Sequence, residues 1–146
     1  MSQPKCYAED HYSAGQPTPE QLAALAREGV RTVINLRAPD EAVDYDEAAE
    51  AERLGLRYVA LPVRGADDLD RERVREFGRE LDAARSRGPV LIHCASGNRV
   101  GAMVALDEAL NRGCDLDSAL DQGRRAGLQG LEPAVVELAG REGAAS

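Results

Sequence analysis

Cys94 and Arg99, with His93 in front of them, are the residues of this chain whose types and spacing could do chemistry together. Val90-Leu91-Ile92, after Pro89, reads as a buried strand that Cys94 ends, and Ala95-Ser96-Gly97-Asn98 is a small turn containing glycine. From Val100 to Leu110 apolar residues recur at helical spacing. A thiol at such a junction meets unpaired backbone N–H groups and the positive end of a helix dipole. Consecutive turn amides also form a concave nest for an anion. Cysteines beside cations or helix N-termini are the reactive ones, so Cys94 is the candidate nucleophile. Arg99 is the candidate clamp, because its planar fork can hold an oxyanion through two hydrogen bonds where lysine cannot. Ala95, Ser96, Gly97 and Asn98 complete the anion-binding loop. His93 has two readings, a satisfied core histidine or a donor one layer out that positions the Cys94 backbone.

Arg37 ends a second predicted strand and should lie at the same sheet edge, where it extends the positive rim; Arg64 is a weaker case of the same argument. The cradle calls for a small anionic partner, carrying phosphate or a sulfur anion. No cofactor is implied. A metal is not implied either, since Cys6, His11, His93 and Cys114 match no ligand spacing.

Composition narrows the class. The chain has 146 residues, 43% of them hydrophobic, without an obvious linker, which suits one domain over residues 1–146 with its own core. Aromatic residues make up 3%, so the core rests on Leu, Val, Ile and Ala, and no stacking platform for bases is expected. The net charge of −8 also argues against nucleic acid, which needs a basic face. Three cysteines without a Cys-x-x-Cys pair suggest neither a disulfide framework nor a zinc ribbon. The chain opens with no charged region followed by an apolar one, and no run approaches bilayer length. The expectation is a cytoplasmic protein with no membrane partner.

The elements that must position the loop are readable in order. Thr18-Pro19-Glu20-Gln21 predicts a helix start, with Thr18 as N-cap, Pro19 as first helical residue and Gln21 closing a capping box; Gly29 follows its end. Thr32 to Leu36 is a short β-branched run, a buried strand. After the turn Ala38-Pro39-Asp40-Glu41, an acidic helix is expected from Ala42 to Leu54, its acid run read as a solvated face. Leu56 to Val63 reads as a strand broken at Pro62, and Asp70 caps a helix expected to reach Arg87. A helix capped by Asp115 or Asp117 and a last one over Pro133 to Ala139 close the chain, and the tail from Gly143 to Ser146 is expected to fray. Strands alternating with helices predict an α/β fold with a mostly parallel central sheet, helices on both faces and a site at the carboxyl ends of the strands.

His-Cys, a short loop and an arginine, set between an apolar strand and a helix, resemble the phosphate-binding loop of cysteine-dependent protein phosphatases. Together with Ser13 to Thr18, Gly29 to Arg37 and Tyr58 to Val63, they are similar to the beta-lactamase-hydrolase-like phosphatase domains, a bacterial family with a dual-specificity-phosphatase-like fold. Some of its members are labelled sulfurtransferases. The resemblance implies a cysteine-phosphatase-like fold and a general acid from the loop after the strand that precedes the Asp70 helix, either Asp67 or Asp68, with Asp70 as helix cap. Two departures matter. Four residues separate Cys94 from Arg99 where the phosphatase motif has five, a spacing that rhodanese-type sulfurtransferases share. Val100 stands where phosphatases usually place a hydroxyl that steadies the leaving thiolate, and Ser96 is a partial substitute at best. Three readings follow. The first is a phosphatase-like hydrolase that acts on phosphate monoesters through a thiophosphate intermediate; the second, a sulfurtransferase carrying a Cys94 persulfide; the third, a catalytically silent anion-binding module.

Overall fold

A computed structural model describes residues 4–144 of the chain. Five short strands, β1 (Lys5–Ala8), β2 (His11–Ala14), β3 (Thr32–Asn35), β4 (Arg57–Ala60) and β5 (Val90–His93), form one sheet in the order β1-β2-β5-β3-β4. The pairs β2–β5, β5–β3 and β3–β4 are parallel, and β1 joins the edge antiparallel to β2. Six helices surround it: α1 (Pro19–Arg27), α2 (Glu47–Arg53), α3 (Arg71–Arg85), α4 (Asn98–Leu106), α5 (Leu116–Ala126) and α6 (Glu132–Ala144). This is the expected α/β architecture.

Side-chain alternation along β5 divides the core. Leu91 turns to the face where Leu22 and Leu25 of α1 and Ala51 of α2 pack around Val33. Val90, Ile92 and Cys94 turn to the opposite face, against Val74, Phe77 and Leu81 of α3, Met103 of α4, Leu120 of α5 and Val135 of α6. Helices therefore cover both faces, and β5, central and buried at all four positions, ends directly beneath the loop.

Thr18 caps α1 with the reciprocal Gln21 capping box and Pro19 in the first turn, and Asp70 and Asp115 cap α3 and α5. Several boundaries differ from expectation. The hairpin β1–β2 is unforeseen because Lys5–Ala14 holds no apolar run; Asp10, at φ 64°, makes its turn. The helix expected from Ala42 starts only at Glu47, capped by Asp46. Upstream, the Glu41 carboxylate takes the Ala38 N–H and Arg37 takes the Ala42 carbonyl, bonds that compete with a helical turn. β4 closes at Ala60 ahead of Pro62, although Leu61 and Val63 still donate to Asn35 and Leu36.

α3 ends at Arg85 rather than Arg87, and α6 extends the last helix beyond Ala139 to Ala144. After Leu106 the helix expected to reach Leu110 widens into a π turn, Asp107–Asn111. There the buried Asp107 binds Asn111 and Arg112. Of the tail expected to fray, Ala145 and Ser146 lie outside the described residues. No helix among the described residues is long and apolar enough to cross a membrane.

Candidate active site

The sharp passage from β5 to α4 is possible because three glycines leave room for it. Gly97 stands at φ 95° as the N-cap of α4, a left-handed conformation that favours glycine. A Cβ on Gly15 would lie 2.6 Å from the Ala95 carbonyl oxygen, and one on Gly127 would lie 2.7 Å from that of Gly97. Within this turn Cys94 is fully buried, its N–H donates to Ala14 across to β2, and its Sγ accepts the Gly97 N–H at 3.0 Å. The thiol thus sits at the head of α4 with a backbone amide aimed at it, as the sequence predicts.

Arg99 lies one turn into α4. Nη1 and Nη2 donate to the two carboxylate oxygens of Glu41 at 2.7 and 2.8 Å, and Nη1 also donates to the Val63 carbonyl at 2.9 Å. Among the described residues its Nε has no acceptor. The hydrogen bonds from Arg99 hold the Glu41 carboxyl down to about 2; burial opposes them and the Ala38 N–H and Arg37 add to them. In turn, the bonds to Glu41, helped by the nearby Cys94 sulfur, raise the Arg99 pKa against the cost of burial.

Arg37 is at the predicted sheet edge, but its donors are engaged. Nε reaches Glu41, Nη1 reaches the Gln16 side-chain oxygen and Nη2 reaches the Ala42 carbonyl. Gln16 passes the network on by donating to Glu47 Oε1 at 2.8 Å. The other carboxylate oxygen of Glu47 is 2.5 Å from His93 Nε2, and His93 Nδ1 lies 3.5 Å from the Cys94 carbonyl oxygen. His93 and Glu47 are both buried. His93 is thus a buried, partnered histidine whose second ring nitrogen is turned toward the Cys94 backbone, a placement that fits both of its readings.

The remaining candidates are dispersed. Asp68 accepts the Arg64 N–H at 2.8 Å and stands 3.7 Å from Arg73, while Arg64 itself pairs with Asp40 at the surface. Asp67 is exposed, accepts no hydrogen bond among the described residues, and lines a cavity of about 290 Å³ with Glu137, Leu138 and Arg141 of α6. Ser96 is exposed; Val100 is buried in the core, so no hydroxyl stands after the arginine. The Asn98 side-chain oxygen accepts from Gln129 N–H at 2.8 Å and Leu131 N–H at 3.4 Å, tying the α5–α6 connection to the loop. Beside Ala95 a groove of about 580 Å³ opens between Pro17, Pro19, Val43 and Tyr45, with Arg37 at its base.

Glu41, Glu47 and Gln16 are not among the site residues read from the sequence. Glu41 falls in the expected turn, where it binds the clamp, and Glu47 in the acid run read as a solvated face, where it is 5% exposed. Nothing in that run's composition singles Glu47 out from Glu50 or Glu52.

A strand, a cysteine at its carboxyl end, an amide-lined turn and an arginine at the head of a helix define a cysteine-phosphatase-like domain. A family model described as "DSP-PTPase phosphatase fused to NAD+ Kinase" matches residues 6–134, and the chain belongs to this family of dual-specificity and tyrosine phosphatase domains. The Beta-lactamase hydrolase-like protein of Xylella fastidiosa (strain Temecula1) is 35% identical over 102 residues, 67% of this chain and 23% of the relative. The Dual specificity protein phosphatase TpbA of Pseudomonas aeruginosa (strain UCBPP-PA14) is 33% identical over 118 residues, 80% of this chain and 51% of that protein. The chain thus spans about half or less of the length of these curated relatives. Among solved structures, P. aeruginosa TpbA in complex with pTyr superposes with a TM-score of 0.74 at 25% identity, covering 94% of this chain and 82% of that one. The active form of Tk-PTP superposes at 0.75 with 25% identity, covering 95% and 97%. The resemblance read from Cys94, Arg99 and their flanking segments is that of this family.

Proposed function

We propose that the domain hydrolyses phosphate monoesters, with Cys94 as nucleophile. The thiolate sulfur attacks phosphorus in line and forms the S–P bond as the P–O bond to the leaving group breaks. Amides of Ala95 to Asn98 and the Arg99 guanidinium hold the equatorial oxygens. Water then attacks the thiophosphate, releasing phosphate and restoring the thiolate. Glu41 and the Val63 carbonyl occupy the outer end of Arg99, which leaves its Nε side for the substrate. The groove beside Ala95 suits a leaving group with both apolar and polar edges. Asp67 is the better of the two candidate acids, because Asp68 is engaged by the Arg64 amide.

The observation that carries this reading is the single cluster of Cys94 Sγ, the Gly97 N–H at 3.0 Å and Arg99 at the head of one helix. Family membership and the pTyr-bound relative support a small phosphate-bearing substrate. The test is hydrolysis of an aryl phosphate by the wild type and by Cys94→Ser. Phosphate release that requires Cys94 supports the reading, and none from the wild type overturns it.

The second reading, sulfur transfer through a Cys94 persulfide, draws on the four-residue loop and on the buried Val100. A ring of four residues suits a smaller group, and transfer of an outer sulfur to a thiol or cyanide needs no acid. Cys94-dependent transfer from thiosulfate without phosphate release would favour it over hydrolysis.

A further inference from the structure

The Glu47–His93 pair lies beneath the loop, and Glu47 also forms part of the wall of a cavity of about 270 Å³ with Gln16, Arg37, Tyr45 and Tyr58. Both residues are buried, Glu47 at 5% exposure and His93 at none. Burying an ionisable pair is a poor way to gain stability, since desolvation offsets most of the attraction. The pair is also fully used. Glu47 Oε2 meets His93 Nε2 at 2.5 Å and Glu47 Oε1 accepts from Gln16 at 2.8 Å. The Cys94 carbonyl oxygen can only accept, so a hydrogen bond to it at 3.5 Å requires a proton on His93 Nδ1. Nε2 then either donates to the carboxylate or accepts from the carboxylic acid. In both arrangements Glu47 decides which way the ring faces.

The backbone gives the pair its leverage. His93 is the last residue of β5 and Glu47 the first of α2, so their contact joins the helix to the strand one residue before the nucleophile. The other charged and titratable groups that face it are Tyr45 ahead of α2, Tyr58 on β4 and, through Gln16, Arg37; Arg37 also reaches Glu41, which lines the same cavity as Glu47 and pairs with Arg99. Tyr45 and Tyr58 are both shifted upward, chiefly by burial, with the Glu47 charge contributing.

We propose that Glu47 is a positioning residue for the nucleophile: by holding His93 through Nε2 it keeps Nδ1–H toward the Cys94 carbonyl and so fixes the turn that aims Sγ. The inference rests on the reading of Cys94 as the reactive thiol. Carboxylates that orient a metal-bound histidine in other proteins are worth about 10- to 100-fold, and the lower end of that range sets the scale here.

Glu47→Gln keeps the shape and removes the charge. Alkylation of Cys94 by iodoacetamide at neutral pH, followed by mass spectrometry of the peptide that contains it, reads the thiol directly and separates it from the exposed Cys6 and Cys114. The expected result is slowing by about tenfold, with kcat on an aryl phosphate falling alike and KM unchanged. Added to His93→Asn, the substitution has no further effect, because Glu47 acts through the ring. Alkylation within about twofold of wild type, or effects that multiply in the double variant, overturns the proposal even if thermal stability drops. His93→Asn alone gives the same reading where Glu47→Gln does not fold: slowing supports the proposal and wild-type alkylation overturns it. Alkylation needs no phosphate ester. A wild type whose Cys94 alkylates in a Glu47-dependent way but releases no phosphate refutes the proposed hydrolysis and leaves this inference standing.

Discussion

Glu41 and Arg99 meet end to end, both carboxylate oxygens on both terminal nitrogens of the guanidinium, at 2.7 and 2.8 Å. Glu41 stands in an irregular segment after β3 and Arg99 in the first turn of α4, so this one pair ties the edge of the sheet to the helix that carries the loop. Because the Arg99 bonds hold the Glu41 carboxyl down to about 2, the pair makes stability depend on pH. A folded pKa below the unfolded one stabilises the fold above the unfolded value of about 4.3, and the contribution is lost as pH falls through the folded value. Wild type should exceed Glu41→Gln by on the order of 2 kcal/mol at pH 6 to 7. The gap should close between roughly pH 4.5 and pH 2. Chemical denaturation of both proteins across that range checks it; a gap that persists at pH 2 contradicts the assignment.

Arg99→Lys should preserve the charge and lose the fork. Lysine offers a point charge and cannot serve Glu41 and an oxyanion through fixed, separate nitrogens. A fall in kcat/KM of about 10²-fold is expected, the scale of losing one aligned donor to a developing anion. Steady-state kinetics on an aryl phosphate measure it, and loss of less than threefold would show that the guanidinium geometry is not used.

Gly101 and Gly140 should respond to alanine in opposite directions. A Cβ on Gly101 would stand 2.1 Å from the Leu128 N and 2.6 Å from the Gly123 carbonyl oxygen, all of it backbone where α4 crosses the end of α5. Gly101→Ala should therefore cost about 2 kcal/mol or more by forcing the helices apart. On the exposed side of α6 a Cβ at Gly140 meets nothing within 4 Å, and Gly140→Ala should gain about 0.5–1 kcal/mol from helix propensity alone. Thermal melts of the two variants against wild type decide it.

What was legible in the sequence follows the range of each interaction. The α1 capping box, the Asp70 cap and the β5–turn–α4 junction are written in residues at most six apart, and they stand as read. Cys94 and Arg99 are five apart and share one helix head. Glu41 and Glu47 are 58 residues from Arg99 and 46 from His93, so only the parallel register that brings β3 beside β5 reveals them. Likewise, the β1–β2 hairpin depends on pairing of β2 with the buried β5, which local composition cannot announce. The engagement of Arg37 is only partly of this kind: Glu41 and Ala42 follow it within five residues, whereas Gln16 lies 21 residues before it and meets it only through the fold.

The acid is the assignment with most to gain from kinetics. Asp67 and Asp68 share a single 3-10 turn, Ala66–Asp68, that begins three residues after the Val63 carbonyl touching Arg99. Asp68 is held by the Arg64 amide, whereas the Asp67 carboxylate is free among the described residues. A general acid matters in proportion to how badly the leaving group needs a proton. Asp67→Asn should leave hydrolysis of a nitrophenyl phosphate within about threefold of wild type but slow an alkyl phosphate by about 10²-fold. Asp68→Asn should act equally on both substrates, through the loop it anchors. A uniform, small effect of Asp67→Asn on the two esters would remove Asp67 from the mechanism; the leaving group would then depart unassisted, as only an activated ester or a persulfide sulfur can.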